Sequence, residues 1–142
     1  MEKAIQIPTP PWNMELAAAR LQFEEEAWNT RDPEQVIEGY ADNIDMRDGS
    51  AFINGRSQLK NFLVQKLADR IDFRLKLDLW GALKARMAVR FEAEWRDNSG
   101  QWFHAYGVQV LQFNERGQIE QRFASEEVVT VSANERKPLA SD

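Results

Sequence analysis

The chain has 142 residues, 43% hydrophobic, with 8 Phe, 5 Trp and 2 Tyr, which suits one globular domain with a real core and is too short for two. A net charge of −5 and a pI near 5.0 argue against sequence-independent nucleic-acid binding, which needs a basic surface, so no nucleic-acid partner is expected. Zero cysteines exclude disulfides, thiolate nucleophiles and zinc ribbons; the single histidine excludes a multi-histidine metal centre; and no cofactor is expected.

Residues 1–12 contain Pro8, Pro10 and Pro11 and read as an extended arm, 13–131 as the folded domain, and 132–142, with Pro138, as a polar tail. The start has no apolar signal core and no stretch approaches the ~20 apolar residues of a membrane span, so no membrane partner and a cytoplasmic location are expected. Asn13 is a candidate N-cap for a first helix running to about Trp28. Ala17, Leu21, Glu24 and Trp28 fall at i, i+4, i+7 and i+11 on one face, so Glu24 shares a stripe with core residues. A short second helix opens at Asp32-Pro33, cap and first helical position, and carries Val36, Ile37 and Tyr40.

Next comes Tyr40-Ala41-Asp42-Asn43-Ile44-Asp45-Met46-Arg47-Asp48-Gly49, followed by Phe52-Ile53-Asn54-Gly55-Arg56. Period two puts Ile44, Met46 and Asp48 on one face of a short strand, in line with apolar side chains. On pattern alone, Asp48 is either a catalytic base or a solvated strand end before Gly49. A third helix begins near Gly55, presents Leu59, Phe62, Leu63 and Leu67, turns Lys60 and Lys66 elsewhere, and ends near Asp69 or Arg70.

From Ile71 the period becomes two. Phe73, Leu75, Leu77 and Leu79 alternate with Arg74, Lys76, Asp78 and Trp80, and Met87, Val89, Phe91 and Trp95 then oppose Arg86, Arg90, Glu92 and Glu94. Asp97-Asn98-Ser99-Gly100 turns the chain into a strand from Trp102 to Phe113. After Asn114-Glu115-Arg116-Gly117, a last strand is expected to carry Ile119, Gln121, Phe123 and Ser125 on one face. The layout is α+β, three helices on a curled antiparallel sheet of four long strands with one short strand between the second and third helices.

This order of elements, with Tyr40-Ala41-Asp42 and a Gly55-Arg56 helix start, resembles the cone-shaped nuclear transport factor 2-like fold, whose superfamily includes SnoaL-like and ketosteroid isomerase-like proteins. More narrowly, Ala27-Trp28-Asn29-Thr30-Arg31-Asp32-Pro33-Glu34, Leu79-Trp80, Ala88-Val89-Arg90-Phe91, Glu94-Trp95, Gly100-Gln101-Trp102-Phe103, Tyr106-Gly107 and Ala124-Ser125 resemble a bacterial domain-of-unknown-function family of that superfamily. The chain is read as a divergent member, since Met46-Arg47-Asp48-Gly49 and Val108-Gln109 depart from that family's pattern.

The resemblance implies a pocket between the concave sheet face and the helices, a small hydrophobic molecule as partner, and a homodimer through the sheet. Phe73, Leu75, Met87, Val89, Phe91, Trp95, Leu111 and Phe123 would line the pocket with Trp28 and Tyr40, and Gln109 would be its polar exception. The outer face would hold Arg74, Arg86, Glu92, Glu94, His104, Tyr106, Glu120 and Arg122, which sets His104 apart from Asp48. Position 48 matches the aspartate that acts as general base in ketosteroid isomerase. The implied function is a cofactor-independent isomerase, dehydratase or cyclase on an apolar carbonyl compound, with Asp48 as base and Gln109, Tyr40, Trp28, Glu24, Phe91, Trp95 and Arg47 around the substrate. The alternative is a noncatalytic homodimeric binding protein for a small hydrophobic ligand.

Overall fold

Asn13 opens α1 (Met14–Asn29) by accepting the Leu16 amide at 2.8 Å, which satisfies one of the free donors of the first turn. Asp32 does the same for α2 (Pro33–Ile37), taking the Glu34 amide at 3.0 Å with Pro33 at the first helical position. The computed structural model describes residues 6–139. Positions 1–5 of the expected arm and 140–142 of the expected tail lie outside the described residues.

Between α2 and α3 (Arg56–Ala68) the chain forms a hairpin, β1 (Tyr40–Asp48) and β2 (Ala51–Asn54), where one short strand was expected. Gly49 makes the two-residue turn with φ of 58°, a conformation that costs glycine little. The three helices are therefore not consecutive. Tyr40 belongs to β1 and not to α2. The remaining strands are β3 (Ile71–Leu83), β4 (Arg86–Arg96), β5 (Trp102–Phe113) and β6 (Ile119–Val131), in one six-stranded sheet of order β2-β1-β6-β5-β4-β3. The sheet is mixed rather than antiparallel throughout, because β1 pairs parallel to β6.

Strand alternation places Met87, Val89, Phe91 and Ala93 of β4 and Ala105, Leu111 and Phe113 of β5 on the inner face, where α1 and α3 cover them. The arm joins this core. Trp12 packs edge-on against Phe113 with 5.0 Å between ring centroids, and its amide donates to the Lys84 carbonyl at 2.9 Å. The tail folds back over one end of the outer face. There Arg136 lies 3.6 Å over the Trp102 ring and donates to the buried Glu94 carboxylate at 3.0 Å.

One irregularity reorganises the interior. Gln112 pairs with Gln121 and Phe113 pairs with Ile119, so Glu120 is an extra residue in β6, a bulge that reverses the side-chain alternation beyond it. Ile119 faces in, but after the bulge Arg122 and Ala124 face in while Phe123 faces out. This corrects both expectations for the strand: Phe123 leaves the concave lining and Arg122 enters it, with 6% of its surface exposed.

Candidate functional site

Three adjacent strands bring the polar centre together. Arg122 of β6 is directly opposite Met46 of β1 on one side and Leu111 of β5 on the other, so Asp48 and Gln109 are its diagonal neighbours. Arg122 Nε donates to Gln109 Oε1 at 2.8 Å and Nη1 donates to Asp48 Oδ2 at 3.0 Å. Lys66, descending from α3, donates to the same Asp48 oxygen at 3.1 Å. Asp48 Oδ1 accepts no hydrogen bond among the described residues. Burial would raise the Asp48 carboxyl, but Arg122 and then Lys66 outweigh it and hold the group below the ordinary aspartate range. For Lys66 burial dominates and lowers its pKa, with Asp48 pushing back.

A second buried cluster stands on the helical side. Glu24 Oε2 accepts Tyr40 Oη at 2.6 Å and Trp28 Nε1 at 2.9 Å, while Oε1 accepts Arg20 Nη1 at 3.2 Å. Arg20 is wholly buried and also donates to the carbonyls of Gly117 and Gly39. With three donors on one carboxylate the group is satisfied where it stands. Burial first, then the Glu24 charge, raise the Tyr40 hydroxyl well above the ordinary tyrosine range.

The cavity between these clusters has ≈ 20 Å³ of free volume. Glu24, Trp28, Phe91 and Gln109 of the sequence-derived set border it, as do Lys66, Arg70, Arg122 and Glu126. Asp48 stands behind Lys66 and Arg122 and is held by both. Tyr40 is sealed behind Glu24. Trp95 is buried against Phe103 and supports Arg70, whose guanidinium lies 3.8 Å over its ring and reaches Glu126 at 3.4 Å. Arg47 does not belong to the site: its side chain points to the other sheet face, over the rings of Phe52 and Phe123, because odd and even positions of β1 face opposite ways. Arg56 binds the carbonyls of Tyr40 and Ile37 and holds the chain between α2 and β1. His104, also on the outer face, lies 2.9 Å from Glu92 and stacks near Tyr106.

Sequence reasoning missed Lys66, Arg122 and Arg20. Leu59, Leu63, Lys66 and Arg70 repeat the spacing of Ala17, Leu21, Glu24 and Trp28, so the stripe argument that found Glu24 also finds Lys66. Arg122 had no such signal, since only the bulge turns it inward.

A larger hollow of ≈ 510 Å³ opens on the outer face, bordered by Leu83, Arg86, Ala88, Val110, Gln112 and Phe123 among others. Arg86 is its sole ionisable lining group and no carboxylate or histidine borders it, so it suits contact rather than acid–base chemistry. Among the described residues no group of acidic, histidine or cysteine side chains is placed to hold a metal, and no helix is long and apolar enough to cross a membrane.

Solved structures share this architecture. The BvnE pinacolase from Penicillium brevicompactum is 17% identical, with a TM-score of 0.65 over 75% of this chain and 82% of that one. SalBIII, an epoxide hydrolase/cyclase-like enzyme of pyran ring formation in the polyether salinomycin, is 14% identical, with a TM-score of 0.66 over 76% of this chain and 89% of that one. A nuclear transport factor 2-like protein of unknown function from Exiguobacterium sp. 255-15 is 17% identical, with a TM-score of 0.66 over 75% of this chain and 97% of that one. Identities this low establish the fold alone. No curated protein matches the chain. Residues 10–139 match the family described as "Protein of unknown function (DUF1348)", and the chain belongs to that family, with a fold that it shares with the nuclear transport factor 2-like protein.

Proposed function

We propose that this protein is a small-molecule pocket enzyme that moves a proton on a carbonyl compound without a cofactor, as an isomerase, dehydratase or cyclase, with Asp48 as the base. The observation that carries this reading is the Asp48 carboxylate on the inner sheet face, with two cations on Oδ2 and Oδ1 free. Its depressed pKa keeps it ionised at neutral pH, ready to accept but only weakly basic. The substrate must therefore be acidified by its surroundings, and Lys66 and Arg122 are placed to do this. Asp48 does not border the cavity, so the substrate reaches Oδ1 only as the Lys66 side chain shifts; the C–H proton then passes to Oδ1 and its electron pair runs into the carbonyl oxygen. The enolate charge is met by N–H donors of Lys66 and Arg122, and Asp48 returns the proton at a second carbon or to a leaving group. Gln109 steadies the Arg122 guanidinium; Trp28 and Phe91 supply apolar walls. That a pinacolase and an epoxide hydrolase/cyclase-like enzyme use the same fold supports small-molecule chemistry in this cavity.

The test is turnover of a carbonyl substrate found by screening enolisable ketones and aldehydes for solvent deuterium uptake. Asp48→Asn should abolish exchange while leaving the fold intact; exchange at the wild-type rate would remove Asp48 from the mechanism.

A second reading rests on the outer face. Leu83, Val108 and Val110 are exposed there beside Phe123, around the ≈ 510 Å³ hollow, which favours a homodimer through the sheet. Such a dimer is compatible with catalysis in the inner cavity and with simple binding of a hydrophobic ligand.

A further inference from the structure

Four cations and three carboxylates gather around the inner cavity. Arg20 with Glu24 and Arg70 with Glu126 make one-to-one pairs, but Lys66 and Arg122 share the single carboxylate of Asp48. The excess positive charge thus falls on Lys66 and Arg122, in a chain whose net charge is −5. Both border the cavity, whereas their counter-ion stands behind them. Both also have donors to spare. Lys66 makes one hydrogen bond from its three N–H groups, and Arg122 Nη2 makes none among the described residues. Arg122 Nη2 is accessible rather than sealed in the core, so a ligand that enters the cavity can meet it.

We infer that the cavity takes a small monocarboxylate: its carboxylate fills the open donors of Lys66 and Arg122 while its apolar body lies against Phe73, Leu75 and Phe91. This rests on the proposed use of the same cavity: the carboxylate occupies the donors that meet the enolate oxygen, so such acids bind as mimics of that anion. Dianions would exceed the charge available. The ≈ 20 Å³ of free space holds about one water, so such a ligand enters as Arg70 swings out of the cavity while Lys66 stays to meet its carboxylate. Arg70 is the more readily moved, since it is held by a 3.4 Å contact to Glu126 and by stacking on Trp95.

The experiment titrates the protein with pentanoate and benzoate against the neutral pentanamide and benzamide, followed by calorimetry and by thermal shift at low salt. The acids should bind saturably and the amides at least about tenfold more weakly, as expected for a charge-assisted hydrogen bond. Lys66→Met should weaken the acids about tenfold, and Lys60→Met, on the exposed side of α3, should leave them unchanged. Asp48→Asn removes the shared counter-ion and should tighten the acids; should that variant fail to fold, Lys66→Met decides alone. Equal binding of acids and amides, or indifference to Lys66→Met, overturns the inference. Wild-type exchange activity in Asp48→Asn with carboxylate selectivity intact would instead sink the proton-transfer reading and leave this one standing.

Discussion

Tyr40→Phe removes one oxygen from the interior and asks whether Glu24 is a structural anchor or a ligand-binding group. The lost contact is a 2.6 Å hydrogen bond from Tyr40 Oη to Glu24 Oε2 at a site where neither residue meets solvent. Hydrogen bonds to charged partners contribute about 1.5–3 kcal/mol. Trp28 still donates to that oxygen and Arg20 to the other, so about 2 kcal/mol is expected. For a chain of this size that corresponds to a fall in Tm of about 7 °C. Urea unfolding at pH 7 measures it, and a cycle with Glu24→Gln isolates the pair. The pH dependence adds a second check. Because the folded pKa of Tyr40 is raised, its contribution is fully present below the unfolded value of about 10 and is lost as pH climbs from there toward the folded one. The gap between wild type and Tyr40→Phe should therefore be flat from pH 7 to 9 and should narrow above pH 10. A stability change under about 0.5 kcal/mol, or no coupling in the cycle, would refute the anchor.

Two further outcomes are expected. A Cβ on Gly107 would lie 2.2 Å from Phe91 Cζ and 2.7 Å from the Ser125 carbonyl oxygen, so Gly107→Ala should cost about 2–3 kcal/mol by overpacking, read as a lower urea midpoint; an unchanged midpoint would mean that strand and ring yield together. At tens of micromolar the wild type is expected to sediment as the proposed dimer and Val110→Asp as a folded monomer, and sedimentation unaltered by the substitution would remove this face from any self-association.

Much of the frame could be read from the chain because its signals are local. Asn13 and Asp32 cap where they were expected to, and the Ala17, Leu21, Glu24, Trp28 stripe is buried along its length. Parity carried Ile44, Met46 and Asp48 to the inner face and kept His104 on the outer one. It failed at β6, where counting from Ile119 by twos exchanges Arg122 with Phe123 because no residue type announces a bulge at Glu120. The hairpin partner of β1 was also missed, since four residues are too few to show a period. The ion clusters lay furthest from view. Asp48 with Lys66 and Arg122 joins residues 18 and 74 positions apart, a proximity set by topology and not by spacing.

The extra residue in β6 also bears on how such a protein changes its ligand. With Glu120 bulged out of the ladder, the strand turns a guanidinium inward and a phenyl ring outward; drawing Glu120 into regular pairing, with every residue kept, would shift the register by one and exchange them. Asp48 and Lys66 would then face an aromatic ring, and the outer face would gain a charge at the centre of its apolar patch. The charge of the cavity and the stickiness of the opposite surface are therefore coupled through a single bulge. Loss of the bulge, with no side chain replaced, would take one cation out of the interior and set it on the outer face.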